Sequence, residues 1–185
     1  LLRLIVVGIN SFNGLNDNDT PHVVFQFQNI PVKRRMNAEK TSVGGYRDSE
    51  MREYLVPFQS KEGSGKFLAG LINAGVPEDV LWVPLRCVYT GSSTEKISDP
   101  LWLPTGKEMF CDGFQYDEEE ADNQAWLEYY ESGDLVKYQN SSAAGVYWVA
   151  TPYGKNKFFS VSRSGGEVDN PADSAYGVVP AFCVR

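Results

Sequence analysis

The fold is decided by the C-terminal stretch Tyr147–Arg185, which reads YWVATPYGKNKFFSVSRSGGEVDNPADSAYGVVPAFCVR. Apolar residues occupy its start, its middle and its end, at Tyr147–Val149, at Phe158–Phe159 and at Val178–Val184. The residues between them are Lys, Arg, Ser, Asp, Glu, Asn and Tyr, without the spacing of a catalytic motif. A rigid apolar frame that presents a chemically mixed polar surface is typical of a recognition site. We therefore interpret this stretch as the contact segment of a binding protein.

Alternation within this stretch predicts three strands, near 146–150, 157–162 and 178–184. Gly165-Gly166 predicts a turn after the second strand, and the residues from there to the last strand are expected to form a polar loop. Successive side chains of a strand point to opposite faces. We therefore expect Phe159 and Val161 to face inward, and Ser160 and Ser162 to be displayed.

The first two thirds of the chain combine strands with short amphipathic helices. Strands are predicted at Leu4–Ile9 and at His22–Gln28, the second with one mostly polar face that carries Val24, Gln26 and Gln28. Two helices are predicted from the spacing of their apolar residues, which are Met51, Tyr54, Leu55 and Phe58 in the first, and Phe67, Leu68, Leu71 and Ile72 in the second. The predicted class is α+β, with residues 1–185 forming a single domain.

Local signals place the ends of these helices. Asp48 or Ser49 is a suitable N-cap for the first helix, and Pro57 ends it. The second helix is expected to end at Gly75. Thr105–Glu108 has the Thr-x-x-Glu pattern of a capping box, which predicts a further short helix.

Composition argues against several partner classes. The chain has 17 basic and 24 acidic residues, a formal charge of −7, so nucleic-acid phosphates and anionic lipids repel it. The dense basic run Lys33–Arg35 is interpreted as a solvated loop. No apolar run approaches the roughly 18 residues of a membrane span, so we expect no nucleic-acid partner and no direct membrane insertion.

The sequence carries no recognisable catalytic or metal-binding motif. It lacks a G-x-S-x-G elbow, a glycine-rich phosphate loop and an H-E-x-x-H pair. Its single histidine, His22, is interpreted as structural or exposed, and its three cysteines, Cys87, Cys111 and Cys183, are expected to be buried and reduced. The acidic run Asp117–Glu120 lacks the spacing of a calcium loop. We therefore predict a non-enzymatic protein without cofactor or metal.

Segments spread in order along the chain resemble a known family. They include His22–Gln28, Gly44–Tyr46, Ser49–Leu55, Ala74–Trp82, Leu101–Thr105, Glu108–Phe110, Leu127–Tyr130, Tyr147–Trp148, Pro152–Tyr153 and Pro180–Val184. Together they resemble the variable proteins of diversity-generating retroelements, in particular the treponemal type and the wider bacterial family that ends in a GVRPA-like strand. The resemblance implies a C-type lectin-like fold whose C-terminal segment, here 147–185, is diversified while the scaffold stays constant.

The resemblance also divides the C-terminal residues into two groups. The constant frame would consist of Tyr147, Trp148, Pro152, Phe159, Val161, Gly177, Val178, Pro180, Ala181 and Phe182. The displayed, ligand-binding residues would be Tyr153, Lys155, Lys157, Ser160, Ser162, Arg163, Ser164, Glu167, Asp169, Asn170, Asp173, Ser174 and Tyr176.

The function implied by the resemblance is receptor-like or adhesin-like binding of a protein or glycan ligand. The expected location is a bacterial cell surface or a phage particle, and a targeting signal, such as that of a lipoprotein, is expected to lie outside this sequence. One alternative is an oxidase like the formylglycine-generating enzymes, which share that fold; it would need Cys111 and Cys183 to meet in a cleft. Another is a structural appendage of a larger surface protein.

Overall fold

Two mostly antiparallel sheets and two short two-stranded ribbons form the scaffold of this protein. The structure is a computed structural model, which describes residues 3–14, 19–57, 64–110, 114, 126–139 and 142–185. The strands are β1 Leu4–Ile9, β2 Val23–Phe27, β3 Val32–Arg34, β4 Leu81–Trp82, β5 Leu85–Tyr89, β6 Thr94–Ser98, β7 Lys137–Gln139, β8 Ala143–Gly145, β9 Tyr147–Tyr153, β10 Lys157–Val161, β11 Glu167–Pro171, β12 Tyr176–Val178 and β13 Ala181–Val184. The helices are α1 Glu50–Leu55, α2 Lys66–Asn73, α3 Gly106–Phe110 and α4 Tyr129–Ser132, with a 3₁₀ turn at Glu78–Val80.

The C-terminal stretch contributes to both sheets. The four-stranded sheet has the order β1-β2-β13-β4, and the five-stranded sheet has the order β11-β10-β9-β12-β3. Neighbouring strands are antiparallel except for β12 and β9, which are parallel. The ribbons are β5–β6 and β7–β8. Small antiparallel sheets with a few short helices agree with the predicted α+β class.

Strand β2 corrects one detail of the sequence prediction. Two residues of its predicted polar face, Val24 and Gln26, are fully buried, whereas Gln28, just after the strand, is exposed. The Gln26 side-chain amide donates to the carbonyl oxygen of Val179 at 3.0 Å, and its carbonyl accepts from the Tyr130 hydroxyl. A buried polar side chain is tolerated when its hydrogen bonds are made, and here Gln26 links the sheet to α4 and to the approach to β13.

The predicted helix ends are confirmed. The Ser49 hydroxyl caps α1 by accepting from the Arg52 backbone N–H, 3.2 Å away. Gly75 follows α2 with a φ of +103°, a left-handed conformation that favours glycine. Phe67 of α2 meets Phe27 of β2 edge-to-face, with ring centroids 5.5 Å apart. Phe58, expected on the apolar face of α1, lies outside the described residues.

Two buried ion pairs connect the helices to the β5–β6 ribbon and its flank. Arg86 on β5 is bound to Glu108 on α3 through its Nε at 2.8 Å and its Nη2 at 2.7 Å. Arg52 on α1 holds Asp99 through its Nε and Nη2, each at 2.9 Å from a carboxylate oxygen. Paired, hydrogen-bonded charges are the form in which ionised side chains are tolerated inside proteins.

Large aromatic side chains fill the core. Trp102, Trp148, Tyr147, Phe158 and Phe182 are all at most 2% exposed. His22 is also buried, stacked on the Trp82 ring with centroids 4.2 Å apart, which agrees with a structural histidine. Among the described residues, no helix combines the length and the apolar character needed to cross a membrane.

Candidate functional site

The C-terminal residues predicted to be displayed are carried by β9, β10, β11 and β12 and the turns between them. We call twelve of them the display surface: Tyr153, Lys155, Lys157, Ser162, Arg163, Ser164, Glu167, Asp169, Asn170, Asp173, Ser174 and Tyr176. Lys155, Arg163, Ser164 and Asp173 are exposed, and the other eight are half-buried. The ten residues assigned to the frame are all buried. The division into covered and accessible residues therefore follows the expectation at these positions.

Ser160 is the exception, and its prediction as a displayed residue is wrong. Its side chain is fully buried, and its hydroxyl has no hydrogen-bond partner among the described residues. The physical reason is its place on the central strand β10, where it is paired with Trp148 on β9 and with Val168 on β11. The large buried indole of Trp148 lies on the face to which Ser160 points. Alternation along a strand gives an exposed face only where nothing packs on that face.

The prediction of a polar loop after Gly165-Gly166 is also partly wrong. Glu167–Pro171 forms β11, which pairs antiparallel with β10 and is the edge strand of the five-stranded sheet. The turn itself is confirmed: the Ser162 N–H donates to the Gly166 carbonyl at 2.7 Å, and Gly165 has a φ of +87°. Glu167, Asp169 and Asn170 are thus held by backbone hydrogen bonds of a strand, which fixes their spacing on the surface.

One cluster on this surface combines an aromatic ring with both signs of charge. Lys157 Nζ lies 2.5 Å from an Asp169 carboxylate oxygen and 5.9 Å from the centroid of the Tyr153 ring. Tyr153 in turn contacts the buried Phe159 ring at 5.2 Å. The hydrogen bond to Asp169 raises the pKa of Lys157. The cluster therefore offers a fixed cation, anion and amphipathic ring, of the kind that contact residues supply in binding interfaces.

The remaining displayed residues lie at other places on the same sheet. The hydroxyls of Ser162 and Ser164 are 3.1 Å apart at the β10–β11 turn. The β9–β10 turn, which carries Lys155, is fixed by Ser42, whose N–H and hydroxyl donate to the carbonyls of Lys155 and Gly154, each at 3.0 Å. Tyr176 packs edge-to-face on Trp148 at 5.1 Å and is paired with Arg34 on β3. The display surface is therefore an extended surface with anchored turns.

Metal and thiol chemistry find no support at this surface. Within the described ranges, no group of three His, Cys, Asp or Glu residues could hold a metal ion. Cys87 and Cys183 are buried, as expected, and burial raises the pKa of the Cys183 thiol. Cys111 and the acidic run Asp117–Glu120 lie outside the described residues.

A family model described as a domain of unknown function (DUF6273) matches residues 22–185. The chain belongs to the DUF6273 family. The matched range includes the whole display surface and its frame, while β1 precedes it. No curated protein and no solved structure matches this DUF6273 chain.

The basic run of the DUF6273 domain has a position that the sequence did not suggest. Lys33 and Arg34 lie on β3, the other edge strand of the five-stranded sheet, and not in a loop. Both side chains and that of Arg35 are exposed, and the Arg34 guanidinium lies 4.4 Å from the centroid of the Tyr54 ring. A three-residue strand of two basic residues and one valine gives no clear strand signal, so only the pairing with β12 could reveal it.

Proposed function

We propose that this DUF6273 domain is a non-enzymatic, receptor-like or adhesin-like binding protein whose display surface contacts a protein or glycan ligand. The observation that carries the proposal is the separation of a fully buried frame from twelve accessible, mostly polar residues on the same strands. Frame side chains hold the backbone through packing, so the accessible side chains are free to specify a partner.

The mechanism we infer is surface complementarity. Tyr153 supplies an amphipathic ring whose position is fixed by Phe159, and the neighbouring Lys157–Asp169 pair is only about one-third exposed. Rigid aromatic contacts contribute binding energy at low entropic cost, while flanking charges set specificity and association rate. Arg163, exposed at the β10–β11 turn, adds a cation that a ligand could reach.

The proposal extends to the C-type lectin-like fold and to a diversity-generating retroelement, supported by the ordered resembling segments along the chain. It also places the protein at a bacterial cell surface or on a phage particle. We prefer binding to the oxidase alternative because Cys183 is fully buried and the pKa of its thiol is raised, both of which disfavour a reactive thiolate.

The test is a binding screen with matched charge variants. The purified protein is applied to a glycan array and to a panel of purified extracellular protein domains. Each saturable interaction is then measured with Arg163→Glu on the display surface and with Lys96→Glu on β6, also an exposed residue. Both substitutions change the net charge equally, so a difference between them reports on location and not on overall charge.

A second variant exchanges the charges of one ion pair. Lys157→Asp combined with Asp169→Lys keeps the net charge and leaves opposite charges facing each other, so the fold is expected to survive. We expect at least one ligand whose affinity falls by about tenfold in this variant and in Arg163→Glu, but not in Lys96→Glu. Absence of any saturable ligand, or equal effects of display and control variants, would contradict the proposal.

A further inference from the structure

A small aromatic groove lies between β2, α1 and α2, and none of its lining residues belongs to the display surface. Its cavity volume is about 220 Å³, and it is lined by Phe27, Tyr54, Phe67 and Leu71 together with Lys66 and Gly70. The Phe67 ring meets Phe27 at 5.5 Å and Tyr54 at 6.0 Å, in both cases edge-to-face. Because these rings support one another and Phe27 and Leu71 are buried, the groove is preformed.

The size of the groove limits what can enter it. Drug-sized ligands occupy pockets of roughly 300–1,000 Å³, whereas an apolar cavity of about 150 Å³ is enough for a benzene ring. A groove of about 220 Å³ therefore fits one aromatic or large aliphatic side chain. Pockets that accept a single anchor side chain are the usual sites of concentrated binding energy in protein interfaces.

Two basic side chains, Lys66 and Arg34, border this groove although the chain as a whole is acidic. Lys66 lies in its wall, and Arg34 covers the Tyr54 ring at 4.4 Å. Lys33, the neighbour of Arg34 on β3, is exposed, and strand alternation directs its side chain to the opposite face of the sheet. Because the whole chain has a net charge of −7, the potential at this groove is more positive than the average over the surface. The groove therefore favours negatively charged partners.

A second groove, which α1 shares, has the opposite charge. Glu39, Asp48, Glu50 and Glu53 line it, with Glu50 and Glu53 on the same helix as Tyr54. An acidic segment would be repelled from this second groove and attracted to the aromatic one. Charge segregation of this kind determines where and in which orientation a partner docks more than it determines affinity.

From these observations we propose that the aromatic groove binds an acidic peptide segment of another protein, which inserts one Phe or Leu side chain into the cavity lined by Tyr54, Phe67 and Gly70. Carboxylates that flank the inserted side chain are received by Lys66 and by Arg34. The residues that line the cavity differ from those of the display surface, although Arg34 at its border is paired with Tyr176 of that surface.

The test uses a defined probe, a fluorescently labelled, acetylated and amidated peptide of sequence EEDFEE, with EEDAEE and KKRFKK as controls. Binding is measured by fluorescence anisotropy and located by amide chemical shifts in two-dimensional NMR spectra. We expect saturable binding of EEDFEE that perturbs the amides of α1 and α2. Affinity should fall by at least about tenfold in EEDAEE, which lacks the anchor side chain, and KKRFKK should not bind.

Gly70 allows the groove to be filled without damage to the fold. A Cβ added at this position meets no atom of the described residues within 4 Å, and the residue is helical, so larger side chains are accommodated and helix propensity improves. Gly70→Leu is expected to abolish EEDFEE binding because its side chain occupies the cavity. Gly70→Ala provides the matched control, with the same gain in helix propensity and most of the cavity left open.

Charge variants test the second half of the proposal. Lys66→Glu is expected to weaken EEDFEE binding at least fivefold at low salt, with a smaller effect at high salt, whereas Lys96→Glu should leave it unchanged. Absence of EEDFEE binding, equal binding of KKRFKK, or full binding by Gly70→Leu would overturn the proposal. It would also be overturned if the protein dimerises and Gly70→Leu makes it monomeric, since a second copy would then occupy the groove.

Discussion

The buried ion pair between Arg86 and Glu108 provides the sharpest test of how this fold is held together. Glu108 accepts three hydrogen bonds: two from Arg86, at 2.8 and 2.7 Å, and one from the Thr105 backbone N–H at 2.8 Å. Both charged side chains are at most 2% exposed. Glu108→Ala leaves the buried Arg86 guanidinium without its counter-charge, next to the Leu103 carbonyl and the Trp102 ring.

Removal of one partner of a buried pair typically costs about 3–5 kcal/mol, because the other charge stays uncompensated. A loss of this size is a large fraction of the roughly 5–15 kcal/mol that stabilises a domain. For a chain of this length it corresponds to a fall in Tm of about 6–20 °C. The assay is equilibrium unfolding in urea followed by tryptophan fluorescence, with Trp102 as a reporter next to the pair.

Two further variants separate the ion pair from general effects of substitution. Glu95→Ala removes a partner of the exposed Arg47–Glu95 pair, whose side chains are 33% and 38% exposed, and is expected to cost under about 1 kcal/mol. Arg86→Met combined with Glu108→Leu removes both charges and should recover most of the stability lost in Glu108→Ala. If Glu108→Ala costs no more than Glu95→Ala, the reasoning about buried charge is refuted.

Three other predictions follow from single buried groups. Burial lowers the pKa of Lys137 to about 8 from 10.5. Between these pH values the unfolded chain therefore binds more protons than the folded chain, and the free energy of unfolding should rise from pH 8 to pH 10. In urea titrations, Lys137→Met should be more stable than the parent protein at pH 7 and should show a smaller rise with pH. Ser160→Ala removes a buried hydroxyl that has no hydrogen-bond partner within the described part of the chain, and should leave the stability unchanged or raise it by up to about 1 kcal/mol. Ser160→Lys should prevent folding, as circular dichroism would report. Because Cys183 is buried and burial raises the pKa of its thiol, it should react with iodoacetamide at pH 8 only after denaturation. Mass spectrometry of the labelled peptide would show this, and rapid labelling of the native protein would contradict the burial of Cys183.

Features that depend on neighbours in sequence could be predicted from the sequence. The capping box is an example: Thr105 and Glu108 exchange hydrogen bonds of 2.8 and 3.2 Å across three residues, as the Thr-x-x-Glu pattern indicates. The Ser49 cap of α1 and the extent of β1 are likewise local, because hydrophobic spacing and capping chemistry are expressed within a few residues.

Features that depend on distant pairing could not be predicted. The ion-pair partner of Glu108 is 22 residues away, and the carbonyl that accepts from Gln26 is 153 residues away. Strand β11 has the composition of a loop, and only its hydrogen bonds to β10 make it a strand. The prediction for Ser160 fails for the same reason, since the indole that covers it belongs to a strand that pairs across a turn.

Which side chains stabilise the fold determines whether the residues of the display surface can be substituted. The buried aromatic frame and the two buried ion pairs are made by other side chains than the accessible ones of β10 and β11. The strands themselves are joined by backbone hydrogen bonds, which any residue but proline can make. The Lys157–Asp169 pair is about one-third exposed on each side, so water and salt screen it and its loss should cost under about 1 kcal/mol. Substitutions across the display surface should therefore change the free energy of unfolding little, whereas Ser160→Lys or Glu108→Ala should lower it strongly.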